Sequence, residues 1–244
     1  MLINFKPPKN FFNDGTIILA GAGPGDPKLL TLKVYQAIKM ADVIIYDALV
    51  GKDIICLAKN KCKLIFAGKL SNNKSCSQED IISWMKSYSK LNKKVLRLKG
   101  GDPSIFGRGA EELQALKKVK ISIKVFSGIT AGQEALKKLK ISYFNNETKS
   151  FSLITGHRAI INKKEINFKK LSAYEGRIII YMGLSHLNNI ANKLINFGKC
   201  ENTSVKIITN ISLKNERIFT TKLKNCVLEK NKFGLKPPAI IIIN

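Results

Sequence analysis

Through the first half of the chain, short runs of consecutive apolar, β-branched residues alternate with stretches in which apolar residues recur every three or four positions. Residues 16–20, 43–46, 63–66, 95–98 and 121–126 carry the first pattern, that of short strands. Residues 28–40 carry the second, with Leu30, Val34, Ala37, Ile38 and Ala41 on one face of a predicted helix. A further helix is predicted to open at Ser77, where Asp80 three residues on makes a capping box, and another from Arg108, with Ala110, Leu113 and Leu116 in phase. Strands separated by helices form βαβ units, which assemble into a mainly parallel sheet.

The polar stretch 145–149 (NNETK) interrupts this alternation and is the candidate linker. Beyond it, strands are predicted near 151–154, 178–181, 205–209, 217–220 and 239–243, with one long helix over 185–197 closed by Gly198. So few helices between so many strands predict a mixed sheet. The expected architecture is α/β: an arm over 1–14, an α/β domain over 15–144, and a mixed α/β domain over 150–244, with the active site in a cleft between the two domains.

Composition narrows the class. The chain has 244 residues, 45% of them hydrophobic, enough to bury a sizeable core and too many for intrinsic disorder. No apolar run approaches the ~20 residues that cross a bilayer, and the opening 14 residues carry Lys6, Lys9 and two prolines instead of the apolar stretch of a signal peptide. A cytosolic protein is expected, with no membrane partner. Five cysteines, Cys56, Cys62, Cys76, Cys200 and Cys226, have no CxxC or C/H spacing, so neither a disulfide framework nor a metal site is predicted. The formal charge is +25, yet only Arg97, Arg108, Arg158, Arg177 and Arg217 are arginines. Lysine is the poorer residue for bidentate contacts to bases and phosphates, and no helix-turn-helix, RNP or zinc signature accompanies the charge. A basic nucleic-acid-binding protein is the alternative that rests on charge alone; the expectation is no nucleic-acid partner.

Two glycine loops carry the candidate chemistry. The first, Gly21-Ala22-Gly23-Pro24-Gly25-Asp26, lies between a predicted strand and helix, with Asp47 at the tip of the next strand. This comes close to a dinucleotide fingerprint. Against that reading, Asp26 would oppose a pyrophosphate and Pro24 lacks an N–H; Asp26 as a cap and Pro27 at the first helical position explain the same residues without a ligand. The second, Lys99-Gly100-Gly101-Asp102-Pro103, follows a predicted strand directly and continues into Ser104-Ile105-Phe106-Gly107-Arg108-Gly109. Adjacent glycines at a strand end let a ligand approach the backbone, and a neighbouring acid can accept from hydroxyl or ammonium groups. A small ligand with hydroxyls and a positive charge, such as an adenosyl sulfonium, suits this loop better than a nucleotide phosphate.

The ordered segments GAGPGDPKLLTLK (21–33), YDALV (46–50), GK (68–69), RLKGGDPSIFGRGAEE (97–112), SGITA (127–131), TGH (155–157), YMGL (181–184) and GLKPPAIII (234–242) resemble the tetrapyrrole (corrin/porphyrin) methylase family over about residues 15–243. The resemblance implies a homodimer of two-domain α/β subunits that bind S-adenosylmethionine and release S-adenosylhomocysteine. The RLKGGDP-x-IFGRG block implies uroporphyrinogen III as the substrate, methylated on two neighbouring pyrrole rings to give precorrin-2 on the route to sirohaem or cobalamin. Carried over by position, the cofactor contacts are Pro24, Gly100, Gly101, Asp102, Ile105, Thr130, Ala131, Met182 and Ile211; the proton acceptor is Asp47 and the proton donor Lys69. A carboxylate at a strand tip suits that role if burial raises its pKa.

The chain departs from the family pattern at Ser127 (Pro in the family), Leu70 (Arg), Lys74 (His) and Phe144-Asn145-Asn146 (Thr-His-Arg), and Ile211 stands where a cofactor-contacting Gly is usual. A branched side chain at 211 is expected to crowd a backbone contact if that loop needs a positive φ. A sister precorrin methylase, diphthine synthase and a family member with weak or no turnover are the remaining alternatives.

Overall fold

The computed structural model describes residues 6–68, 76–144, 146, 148–156 and 166–244. The chain divides into two compact units, Met1–Thr130 and Ala131–Asn244.

In the first unit β1 (Ile17–Gly21), β2 (Val43–Tyr46), β3 (Lys63–Phe66), β4 (Val95–Lys99) and β5 (Ile123–Phe126) form one sheet in the order β3-β2-β4-β1-β5, with every pairing parallel. Helices α1 (Leu32–Met40), α2 (Lys52–Ile55), α3 (Gln78–Lys90) and α4 (Gly109–Lys117) connect the strands. Alternate strand residues point to opposite faces. Ile18, Ala20, Ile44, Leu96 and Leu98 therefore pack with Val34, Ala37 and Ile38 of α1 and Ile54 of α2. Ile17, Val43, Ile45 and Val95 pack with Ile81 and Met85 of α3 and Leu116 of α4. Strands β1 and β2 are covered on both sides, which is why they read as continuous apolar runs, whereas the edge strands β3 and β5 are partly exposed and carry Lys63 and Lys124.

Helix α1 starts later than its periodicity predicts. Asp26 accepts from Lys28 N (2.8 Å) and caps a separate 3-10 turn at 27–29, Leu30 is extended, and Thr31 then caps α1. The capping box at Ser77 and Asp80 forms as read from the sequence.

The second unit holds α5 (Ala131–Lys138), β6 (Phe151–Thr155), α6 (Phe168–Ser172), β7 (Arg177–Tyr181), α7 (Leu187–Asn196), β8 (Ser204–Thr209), β9 (Arg217–Lys222), α8 (Cys226–Lys232) and β10 (Ala239–Ile243). Its sheet is mixed, in the order β6-β7-β10-β8-β9: β6 and β7 are parallel and the other pairs antiparallel. Ile178, Ile180, Ile207, Ile241 and Ile243 pack against Leu187, Ile190, Ala191 and Leu194 of α7. The unit boundary falls ahead of the polar stretch 145–149, because α5 packs on β7 and β10: the Tyr181 hydroxyl accepts from Gly132 N (3.0 Å). Helices α5, α6 and α8 span only eight, five and seven residues. Burial raises the Cys226 thiol pKa to about 11, which suits a packing residue and not a reactive one.

Candidate functional site

Strands β4, β1 and β5 lie side by side, so the loops at their carboxyl ends are neighbours. Ala22 N donates to Lys99 O (2.7 Å), and Gly23 and Gly101 exchange backbone hydrogen bonds of 3.1 and 2.7 Å in an isolated antiparallel bridge. The third loop closes on the other two. A Cβ on Gly21 would fall 2.7 Å from Gly128 N, and a Cβ on Gly128 would fall 2.6 Å from Gly21 O; both would also run into Gly101 O. Gly101 adopts φ +69°, which admits glycine far more readily than a branched residue.

Asp102 joins these loops. Its Oδ1 accepts from Ser104 N (2.8 Å) and from the Ser104 hydroxyl, and its Oδ2 accepts from Gly128 N (3.0 Å). The buried side chain thus meets the protein's own donors. Leu49, exposed beside Gly100, adds an apolar contact: a Cβ on Gly100 would lie 2.7 Å from Leu49 Cβ. In the first loop, the N–H groups of Ala22 and Gly23 are used by backbone carbonyls and Pro24 has none. Fewer N–H groups are left there for a pyrophosphate, which weakens the dinucleotide reading.

Ile105 is half-buried on the following loop, where Phe106 and Arg108 adopt φ of 53° and 55°. Non-glycine residues rarely take this conformation unless their surroundings impose it. Arg108 pairs with Glu111 (Nη2–Oε2 2.6 Å), and that hydrogen bond raises the Arg108 pKa and lowers that of Glu111. Thr130 ends the first unit and Ala131 opens α5 of the second. Met182 is exposed with φ +52°, directly after β7. At Ile211 the expected crowding does not arise. The left-handed residues are its neighbours Asn210 (φ 52°) and Ser212 (φ 62°), while Ile211 itself lacks a positive φ and buries its side chain. Lys69, the candidate proton donor, lies outside the described residues, as do Leu70, Lys74 and Asn145.

Asp47 follows β2 and is 28% exposed. Instead of a carboxylate isolated by burial, the structure shows one held by two cations: Arg97 Nη2 lies 2.5 Å from Oδ1 and Lys99 Nζ 3.3 Å from Oδ2. Each carboxylate oxygen retains lone-pair capacity beyond these contacts. Arg97 and Lys99 share with Val95 the face of β4 that looks toward α3 and α4, and there they meet Glu112 of α4. The two cations and two carboxylates balance in formal charge, which makes burial of Arg97, Lys99 and Glu112 tolerable. Arg97, Lys99 and Glu112 escaped the sequence reading as site residues. Their signal is the alternation Val95-Leu96-Arg97-Leu98-Lys99: charges at every second position of a strand otherwise patterned for complete burial.

A pocket of about 530 Å³ beside the edge strand β5 is lined by Lys33, Lys124, Phe11 and Phe126 among others. Lys124 donates to backbone carbonyls of the arm and Lys33 lies over the Phe126 ring (5.7 Å), so both cations serve the fold. None of the glycine-loop residues lines it.

Two α/β units, the first with glycine loops at the ends of parallel strands, fit a two-domain methylase, and the tetrapyrrole (corrin/porphyrin) methylase family model matches residues 16–226. The chain belongs to that family. It is 39% identical over 232 residues to a uroporphyrinogen-III C-methyltransferase of Methanocaldococcus jannaschii, covering 94% of this chain and 95% of the relative. It is 38% identical over 230 residues to the enzyme of the same name from Priestia megaterium, covering 94% and 97%. Among solved structures, the uroporphyrin-III C-methyltransferase of Thermus thermophilus complexed with S-adenosylhomocysteine superposes with a TM-score of 0.80 at 27% identity, over 94% of this chain and 97% of that one.

Proposed function

We propose that the protein is an S-adenosylmethionine-dependent C-methyltransferase that converts uroporphyrinogen III to precorrin-2. The observation that carries this reading is the junction of Gly21, Gly101 and Gly128 beside the cation-held Asp47, in a chain whose relatives of 38–39% identity bear that enzyme's name. When bound, the cofactor supplies an electrophilic methyl group: the ring carbon forms the new C–C bond as the S–CH₃ bond breaks, its electron pair staying on sulfur as S-adenosylhomocysteine. In the first unit the backbone of Pro24, Gly100, Gly101 and Asp102, with Ile105 and Thr130, would hold it; Ala131, Met182 and Ile211 are the further positions that the family resemblance assigns to the cofactor. These groups are neutral apart from Asp102, whose carboxylate meets internal donors, and this suits a ribose and a sulfonium more than a phosphate. Alignment and exclusion of water matter most for such an in-line transfer. The methylated ring then loses a proton, for which Asp47 is the acceptor, while Lys69 supplies a proton donor. The family resemblance supports a homodimer and a cytosolic location; among the described residues no helix is long and apolar enough to cross a membrane.

Two measurements test this. Anaerobic incubation with S-adenosylmethionine and uroporphyrinogen III is expected to produce the precorrin-2 chromophore, and its absence overturns the substrate assignment. Calorimetry is expected to find S-adenosylhomocysteine bound by the wild type and excluded by Gly101→Val; equal affinity would remove the second loop from the cofactor site.

The charge gives a separate expected result. If the +25 serves an anionic tetrapyrrole and not nucleic acid, DNA and RNA should bind weakly and be lost steeply with added salt, as counterion release requires. Sequence-selective binding that survives physiological salt would favour the nucleic-acid alternative.

A further inference from the structure

The proposed base does not stand alone, and the residue that organises its surroundings is fully buried. Glu112, in the first turn of α4, is 0% exposed. Its Oε1 accepts from Lys99 Nζ (2.9 Å), Gln78 Nε2 (3.0 Å), Arg97 Nη2 (3.2 Å) and Arg97 Nε (3.3 Å). Its Oε2 is buried and has no hydrogen-bond partner among the described residues. Four donors on one oxygen and none on the other is not the arrangement that best solvates a buried carboxylate, which spreads its donors over both. It does place a single point of negative charge behind the two cations that hold Asp47. Arg97 Nη2 and Lys99 Nζ each contact both carboxylates, Glu112 on one side and Asp47 on the other. Arg97 Nη1 is further fixed by the carbonyls of Ile45 and Leu98 (both 3.4 Å).

We infer that Glu112 is a positioning residue for methyl transfer: through Arg97 and Lys99 it sets where the Asp47 carboxylate stands. The inference rests on the reading of Asp47 as proton acceptor. Glu112 touches no substrate in this account and reaches the reaction only through the shared cations. Removing its charge leaves Arg97 and Lys99 with one carboxylate between them, so they draw onto Asp47 and displace it. A displacement of about 1 Å suffices to slow a positioned step on the order of 10- to 100-fold.

The test compares Glu112→Gln, Glu112→Asp, Asp47→Asn and the double variant Asp47→Asn/Glu112→Gln. Glu112→Gln is expected to lower kcat on the order of 10- to 100-fold, to leave S-adenosylhomocysteine affinity within about 2-fold, and to alter the pH–rate profile. Added to Asp47→Asn it should cause no further loss, because both changes act through one carboxylate. Glu112→Asp keeps the charge balance, and so the fold, while drawing the carboxylate back by one methylene; it should lower kcat less than Glu112→Gln does. Unchanged kcat in both Glu112 variants, with kcat lowered in Asp47→Asn, overturns the inference and leaves the base assignment standing. Unchanged kcat in Asp47→Asn overturns the base assignment and the inference with it. A crystal structure of either Glu112 variant reads the positioning without turnover. Contacts from Arg97 and Lys99 to Asp47 that persist at their present lengths overturn the inference, and a displaced Asp47 supports it.

Discussion

Asp47→Asn is expected to lower the methylation rate about 10²–10⁴-fold, the usual contribution of a positioned acid or base, while S-adenosylhomocysteine should bind the variant as it binds the wild type. Asn keeps the size of Asp47 and one of its oxygens, so Arg97 or Lys99 can retain a partner; what disappears is the negative charge and the site proposed to take the proton. The separation of rate from affinity matters because a dinucleotide-type loop would use an acid at this place to hold a ribose, and there the same change weakens cofactor binding. Rate and affinity measured on one preparation separate the two cases. An unchanged rate would reduce Asp47 to the outer partner of Arg97 and Lys99.

Gly21→Ala is expected to cost stability and cofactor affinity together. The added Cβ meets Gly128 N at 2.7 Å and also Gly101 O. Both are backbone atoms, so no rotamer change relieves the contact and the three loops must part. Overpacking of this kind costs roughly 1–3 kcal/mol, visible as a lower denaturant midpoint, and it separates Gly101 from its bridge to Gly23. Gly198→Ala is the control. Gly198 has φ +96° but open space around its Cβ direction, so the change carries backbone strain without parting any loops; it should lower stability and leave S-adenosylhomocysteine binding unchanged. Equal affinity in Gly21→Ala and the wild type would mean that the cofactor does not depend on the loop junction.

Much of the first unit is legible in the pattern of its residues. Burial on both faces makes β1 and β2 apolar runs, and the runs at 43–46 and 63–66 coincide with β2 and β3. Helix starts were readable where a side chain closes a local hydrogen bond, as at Ser77 and Asp80. The start of α1 was not, because the periodic apolar positions continue through a 3-10 turn and a break at Leu30 that only Asp26 and Thr31 define. In the second unit the short helices escaped for lack of length: α6 spans five residues, fewer than two helical turns.

Glycine spacing and strand-end placement were enough, by themselves, to locate the loops at residues 21–25 and 100–101, since close backbone approach restricts the choice of residue. The motif order likewise identified the family. Which groups those loops leave for a ligand was decided by the tertiary structure. Asp102 is tied to Ser104 and Gly128, contacts that the sequence does not show, and left-handed turns at 210 and 212 leave Ile211 without a positive φ. The tetrad of Asp47, Arg97, Lys99 and Glu112 depends on the register that sets Ile45 of β2 beside Arg97 of β4, and on α4 lying over the same face. Local pattern records what one element needs from solvent or core. The pairing of charges 50 residues apart along the chain follows from strand order, which is settled only when the whole sheet assembles.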